Sequence, residues 1–243
     1  MSQSTGTGGA ALVAAGLAIG LGIAAGGYFV SRTTVNSALV DTADVKGLAE
    51  RQVKADQAIW SIGYKVSNAD LKAGYAEAEA NARIIRDFLA ANGFADGAVL
   101  AGQTSVGQSE FRDANGALIE TRYEISGSLV VTTPDVMAVY AASQKTGDLI
   151  AAGVLLTDSQ PRFLFTGLNA IKPDMLREAA QNARVAADEF AKNAGVTVGS
   201  IRTAQQGGFE IRDADSDSGE YGSDDRSIDK NVRVVTNVTF YLD

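Results

Sequence analysis

Residues 60–89 read WSIGYKVSNADLKAGYAEAEANARIIRDFL, and a change of period inside this one stretch decides the fold class. Trp60, Ile62, Tyr64 and Val66 fall on alternate positions, with Ser61, Gly63 and Lys65 between them, which gives a half-buried strand one apolar face. Ser67 and Asn68 then supply an N-cap region. Beyond them the apolar positions become Leu71, Tyr75, Ala78, Ala82, Ile85 and Leu89, in steps of four and three residues, a stripe along a long helix that ends at Asn92-Gly93. A strand that runs into an amphipathic helix needs a layer of sheet packed on a layer of helix.

The same logic recurs further along. Pro173 is placed in the first turn of a second helix, Leu176, Ala179, Ala183, Ala186 and Phe190 form its stripe, and Asn193-Ala194-Gly195 closes it. Asn81-Ala82-Arg83 aligns with Asn182-Ala183-Arg184 at an offset of 101, which also places Asp87 on Asp188 and Asn92 on Asn193. Strand-like stretches follow each helix, Ala98–Phe111 and Val198–Arg212, so the pattern reads as an internal duplication. Asp113-Ala114-Asn115-Gly116 is a hairpin turn that leads into a strand from Ala117 to Thr132. Pro134 opens a shorter helix through Lys145, and Pro161–Leu168 reads as another strand. In the last strand Val232, Val234, Val238, Phe240 and Leu242 share one face, and Arg233, Asn237 and Thr239 the other. The expected fold is α+β, two similar sheet-and-helix subdomains made of long antiparallel hairpins packed on helices.

The chain has 243 residues, 46% hydrophobic, with 21 basic against 29 acidic side chains and a net charge of −8, enough apolar content for a core and too little positive charge for a nucleic-acid surface. With no Cys and no His, thiolate nucleophiles, disulfides, Ser-His-Asp triads and nearly all zinc, copper, haem and iron–sulfur sites are excluded. Residues 10–30, AALVAAGLAIGLGIAAGGYFV, carry no charge. As a helix they extend roughly 31 Å, the thickness of a hydrocarbon core. Residues 1–9 hold no Lys or Arg and the apolar run exceeds a signal-peptide core, which favours a retained transmembrane signal-anchor over a cleaved signal. Flanking charge does not orient it. Gly16, Gly20, Gly22 and Gly26 stand at small-xxx-small spacing, a pattern for anchor-helix packing that also occurs where signal segments are merely rich in Gly and Ala. Residues 31–42 read as a linker and residues 43–243 as the folded domain.

The residues left for chemistry form no convincing centre. Residues 213–229, DADSDSGEYGSDDRSID, carry seven acids, and Asp213, Asp215 and Asp217 have the 1-3-5 spacing of a calcium loop with Asp224 at position 12. Gly219, however, falls at position 7 and not 6, and strands flank the segment in place of helices, so a solvated hairpin loop is the better reading. Glu77, Glu79 and Glu178 fit surface ion pairs better than acid–base catalysis. Trp60 and Tyr64 belong to a core face, and the sequon at Asn237-Val238-Thr239 lies inside a strand. No catalytic residue, cofactor or metal is expected.

Several segments together resemble the SIMPL-domain family of bacterial envelope proteins: VKGLAERQVKADQAIWSIGY at Val45–Tyr64, the NARII segment, PRFLF at Pro161–Phe165, the A-R-x-A-A pattern of the second helix, and SIDKNVRVVTNVTFYL at Ser227–Leu242. The resemblance implies an extracytoplasmic location, two small α+β subdomains and, for some members, ring- or shell-like homo-oligomers and links to envelope or oxidative stress. It brings no catalytic residues. With the anchor, the expectation becomes a non-enzymatic, single-pass inner-membrane protein whose domain faces the periplasm and whose partners are copies of itself and the lipid bilayer. A ligand- or protein-binding, chaperone-like module is the alternative.

Overall fold

The computed structural model describes Gly20, residues 22–28, residues 41–215 and residues 225–243. Among the described residues no helix is long and apolar enough to cross a membrane. The expected span at 10–30 lies largely outside them, although Gly20 and residues 22–28 are helical.

The fold is α+β with two sheets. In chain order the elements are β1 (Thr42–Lys54), β2 (Gln57–Asn68), α1 (Leu71–Ala91), β3 (Val99–Ala101), β4 (Ser105–Arg112), β5 (Leu118–Thr133), α2 (Val136–Ser143), α3 (Gly147–Ala151), β6 (Leu156–Asp158), β7 (Pro161–Leu164), α4 (Leu168–Ala194), β8 (Val198–Asp213) and β9 (Asp229–Leu242). One sheet has the order β1-β9-β8; in the other β5 and β2 are central, β2 carries β6 and β7, and β5 carries β3 and β4. The chain divides into two compact units. The first comprises the chain up to Gly47 with Ala180–Gln205 and Thr236–Asp243, the second Leu48–Ala179 with Gln206–Val235.

The larger unit holds the main core. β2 and β5 pair antiparallel from Ala58↔Thr133 to Asn68↔Tyr123, and Trp60, Ile62 and Val66 meet Ile85 and Leu89 of α1 inside one buried cluster. Trp60 stacks edge-to-face on Phe88 and Phe94, both at 6.3 Å, and its indole N–H donates to the Ser159 carbonyl at 2.8 Å. The expected core role of Trp60 and Tyr64 is thus what the structure contains. α1 starts later than the sequence suggests: Asp70, two residues beyond Asn68, and not Ser67 or Asn68, is its N-cap, its carboxylate accepting the Ala73 N–H at 2.7 Å. Asn68 instead accepts the Asp70 N–H at 3.0 Å. The apolar stripe also begins later, with Gly74 and Ala78 buried and Leu71 and Tyr75 exposed, because the first turn of α1 projects past the end of β2.

A second cluster in this unit packs Met175 and Ala179 of α4 on Ala49, Val232 and Val234. Here Pro173 is corrected: α4 begins at Leu168, so the proline lies inside the helix and leaves the Asn169 carbonyl without its intrahelical donor. The Asp56 carboxylate fixes the entry, accepting the Thr166 and Gly167 N–H groups at 2.7 and 2.9 Å. Pro161–Leu168 is accordingly a strand only to Leu164.

In the smaller unit Ala183 and Ala187 pack on Val45, Val238 and Phe240. The buried stripe of α4 runs through Met175, Ala179, Ala183, Ala187 and Ala191, whereas Phe190 is 66% exposed, a one-residue correction at the helix end. Arg184 staples the helix down: its guanidinium donates to the Gly199 and Val198 carbonyls at 2.8 and 2.7 Å and lies 5.4 Å from the Phe240 ring.

The two long helices do end alike. Asn92 and Asn193 side chains each donate back to the carbonyl four residues earlier, at 2.9 and 3.0 Å. Gly93 follows Asn92 directly and Gly195 follows Asn193 after Ala194, with φ of 93° and 74°, and Phe94 and Val196 return an N–H five residues back, a Schellman closure. Ala78/Ala179 and Ala82/Ala183 are buried at matching positions, but Leu89 is buried where Phe190 is exposed.

Candidate functional site

The strand expected at Ala98–Phe111 is two, interrupted at Gly102-Gln103-Thr104, and only the second continues outward. β3 pairs with β5 at residues 129–131, over the core, while β4 pairs with β5 from Ser105↔Ser126 to Arg112↔Leu118. β2 ends opposite Tyr123, so the distal half of the β4–β5 hairpin is a two-stranded ribbon. The turn is built as its sequence suggests: Asp113 Oδ1 accepts the Asn115 and Ala117 N–H groups, and Gly116 supplies the left-handed residue with φ 84°. Asn115 needs no positive φ, because the loop from Asp113 to Ala117 has five residues and not two.

Among the described residues nothing covers either face of this ribbon. Val106, Phe111, Leu118 and Ile119 are all at least half exposed. A register shift falls between Phe111↔Glu120 and Arg112↔Leu118, which leaves Ile119 as the extra residue of a bulge, 68% exposed. Charged neighbours Glu110/Arg112 and Glu120/Arg122 pair along each strand at 2.6 and 2.9 Å.

At the root of the ribbon, where it meets the first turn of α1, lies an open cleft of about 680 Å³ lined by Ala69, Leu71, Lys72, Tyr75, Val106 and Tyr123, with Asp70 at its rim. The late start of the α1 stripe is what opens it: Leu71 and Tyr75 are set above the sheet edge and not into the core. Two phenols, an ammonium group and an apolar floor can hold an apolar or aromatic group; they provide no nucleophile with a base beside it.

A second unusual feature lies at the base of the acidic segment. Lys230 is 1% exposed, and its ammonium donates to Asp213 Oδ1 and lies 3.6 Å from Asp225. Asp213 also accepts the Arg226 and Ser227 N–H groups at 3.0 and 3.1 Å. Burial pushes the Asp213 carboxyl up, but the Lys230 hydrogen bond, the Ser227 and Arg226 N–H groups and the Lys230 charge outweigh it and hold the carboxyl below its ordinary value. Asp225 has φ 49°, pairs with Arg162 at 2.7 Å and accepts the Phe163 N–H on its carbonyl. Asp213, the first residue of the calcium-loop spacing, is therefore a structural anchor with both oxygens engaged. Asp217, Gly219 and Asp224 lie outside the described residues, and among the described residues no group of three or more acids is placed to hold a metal ion. The signal missed in the sequence is that Lys230 continues the alternation of Val232 and Val234, a charge on an apolar face that requires a buried partner.

The other nominated residues are not brought together. Gly20, Gly22 and Gly26 are helical and have open space where a Cβ would stand, and Gly16 lies outside the described residues. Glu77 and Glu79 are exposed, Glu77 accepting a hydrogen bond from Asn68, and Glu178 pairs with Arg51 at 3.7 Å. Asn237 is exposed within β9.

Comparison with known proteins places no activity on these features. No curated protein matches the chain. A crystal structure of an uncharacterized conserved protein from Listeria innocua is similar at 13% identity and a TM-score of 0.18, covering 76% of this chain and 91% of that one. The model of the SIMPL family, described as a protein of unknown function (DUF541), matches residues 43–240, and the chain belongs to that family.

Proposed function

We propose that the protein is a non-enzymatic component of the bacterial envelope that acts by assembling with copies of itself, tethered to the inner membrane through residues 10–30 with its folded domain on the periplasmic side. The observation that carries the assembly is the β4–β5 ribbon. An isolated two-stranded hairpin is marginal in water, and this one carries apolar side chains on both strands that the described residues leave half or more exposed. Burying three such side chains stabilises by roughly 1.5–3 kcal/mol each, which a partner copy can supply. The charge-free span and its spaced glycines support the tether.

A second reading, a module that binds a small molecule or peptide, draws on the cleft beside α1, whose volume is within the range of about 300–1,000 Å³ usual for ligand sites. Light scattering of the full-length protein in detergent separates the two. Self-assembly requires a defined multimer at micromolar concentration, and a strict monomer overturns it in favour of the binding module.

A further inference from the structure

We infer that the ribbon tip and the α1 cleft are the two halves of one head-to-tail interface: Phe111, Leu118 and Ile119 of one copy seat in the cleft lined by Leu71, Tyr75 and Tyr123 of the next. The inference rests on the self-assembly reading and names its surface.

Four observations lead to it. The chain presents an apolar protrusion and an aromatic-walled cleft in the same compact unit, each lacking a partner among the described residues. The tip cannot fold back into its own cleft, because Val106 lines the cleft and Arg112 ends the strand, and six residues of strand separate them by about 20 Å. The bulge turns Ile119 out of the ladder, where it projects as a knob. One charge pair is available too: Lys72, which lines the cleft beside Asp70, has no ion-pair partner among the described residues, and the turn carries the exposed carboxylate of Asp113.

The competing arrangement is two β4 edges pairing about a two-fold axis. In the register centred between Gln108 and Ser109, Arg112 opposes Ser105 and Glu110 opposes Gly107, so no charges pair. Leu118 and Ile119, on the inner strand, stay uncovered. Tip-in-cleft docking covers them, and being heterologous it generates a closed ring where the rotation closes.

The chain has no cysteine, so the test is free of background. Full-length protein in detergent is prepared as Ile119→Cys, as Ala69→Cys at the cleft wall, and as the double variant; all are exposed positions. Under mild oxidation the double variant is expected to give a ladder of cross-linked multimers and a mixture of the two single variants a mixed dimer, with neither single variant cross-linking alone. As a second arm, Phe111→Asp with Ile119→Asp removes the tip and Tyr75→Glu spoils the cleft. Each alone is expected to lose the multimer, and mixing them to restore dimers and nothing larger, since one retains a cleft and the other a tip. Cross-linking of Ile119→Cys with itself shows tip-to-tip contact and overturns the inference. A multimer that survives the tip and cleft variants overturns it too, leaving self-assembly standing. A monomeric unmodified protein overturns both.

Discussion

The ammonium of Lys230 and the carboxylate of Asp213 face each other in the interior of the larger unit, joining the start of β9 to the end of β8. Removing one member of such a pair leaves a buried charge unmatched. Lys230→Met is expected to destabilise the protein by about 3–5 kcal/mol, whereas Lys230→Met with Asp213→Leu costs far less, because both desolvation penalties go together. Urea unfolding followed by circular dichroism measures the difference; equal losses in the single and double variants would show that the pair contributes packing and not charge balance.

The same carboxylate sets an acid dependence. Its folded value is depressed, so its contribution is fully present above the unfolded value of about 3.9 and is lost as pH falls through the folded value. Stability of the unmodified protein should drop more steeply below about pH 4 than that of Asp213→Asn, whose own penalty is constant with pH. Parallel pH–stability curves for the two proteins would refute the assignment.

Tyr64 and Gly127 are opposite each other in the β2–β5 ladder, and the phenol lies over the glycine so closely that a Cβ there would stand 2.7 Å from Tyr64 Cζ. Gly127→Val is expected to cost about 1–3 kcal/mol through overpacking, and Tyr64→Ala in the same chain to recover part of it. Burial, then the Glu79 charge and Tyr75, push the Tyr64 hydroxyl up against a smaller opposing pull from Arg86. Its stabilising neutral form therefore persists below the unfolded value of about 10 and is lost as pH rises through the folded one. Alkaline absorbance titration should find one phenol ionising late, absent in Tyr64→Phe.

Trp60 is the only tryptophan and is fully buried between Phe88 and Phe94. Its emission should lie at short wavelength in the folded protein and shift red in one cooperative step with unfolding of the larger unit. Trp60→Ala is expected to cost about 3–5 kcal/mol. A native emission already at the wavelength of exposed indole would contradict the packing.

Arg184 makes its contacts with a planar fork, so Arg184→Lys keeps the charge but loses the paired carbonyl bonds and the face contact with Phe240. A loss of about 1–3 kcal/mol is expected, against a negligible change for Arg83→Lys, at the exposed equivalent position of α1. Hydrogen exchange at Val198 and Gly199 gives a local readout.

Period reveals β2, α1, α4 and β9, because each repeats apolar residues along one face, and the Asp113–Gly116 turn reveals β5. β1 was hidden: its buried positions include Val45, Gly47 and Ala49, two of them too small to mark a face by size. The one-residue drift at Phe190 has a related origin, since in an Ala-rich helix a large exposed side chain outweighs Ala187 and Ala191 in any hydrophobic count. The ribbon was visible as a turn and two strands, but that it outruns β2 depends on register, which no single strand encodes. The cleft was not legible, because Tyr75 looks like a core residue until the start of α1 is fixed relative to the sheet edge.

The sheet order β1-β9-β8 has a consequence for how the chain is made. The first strand of the fold is paired with the last, and just past their ends the Ala55 N–H donates to the Ile228 carbonyl at 2.8 Å, across more than two-thirds of the sequence. During synthesis β1 emerges first and waits with both edges open until the final fourteen residues of β9 leave the ribosome. Closure is thus a late, non-local event, slow by contact order and exposed to aggregation in the interval. A chain cut before Asp229 cannot complete that sheet however much of the larger core it has already formed.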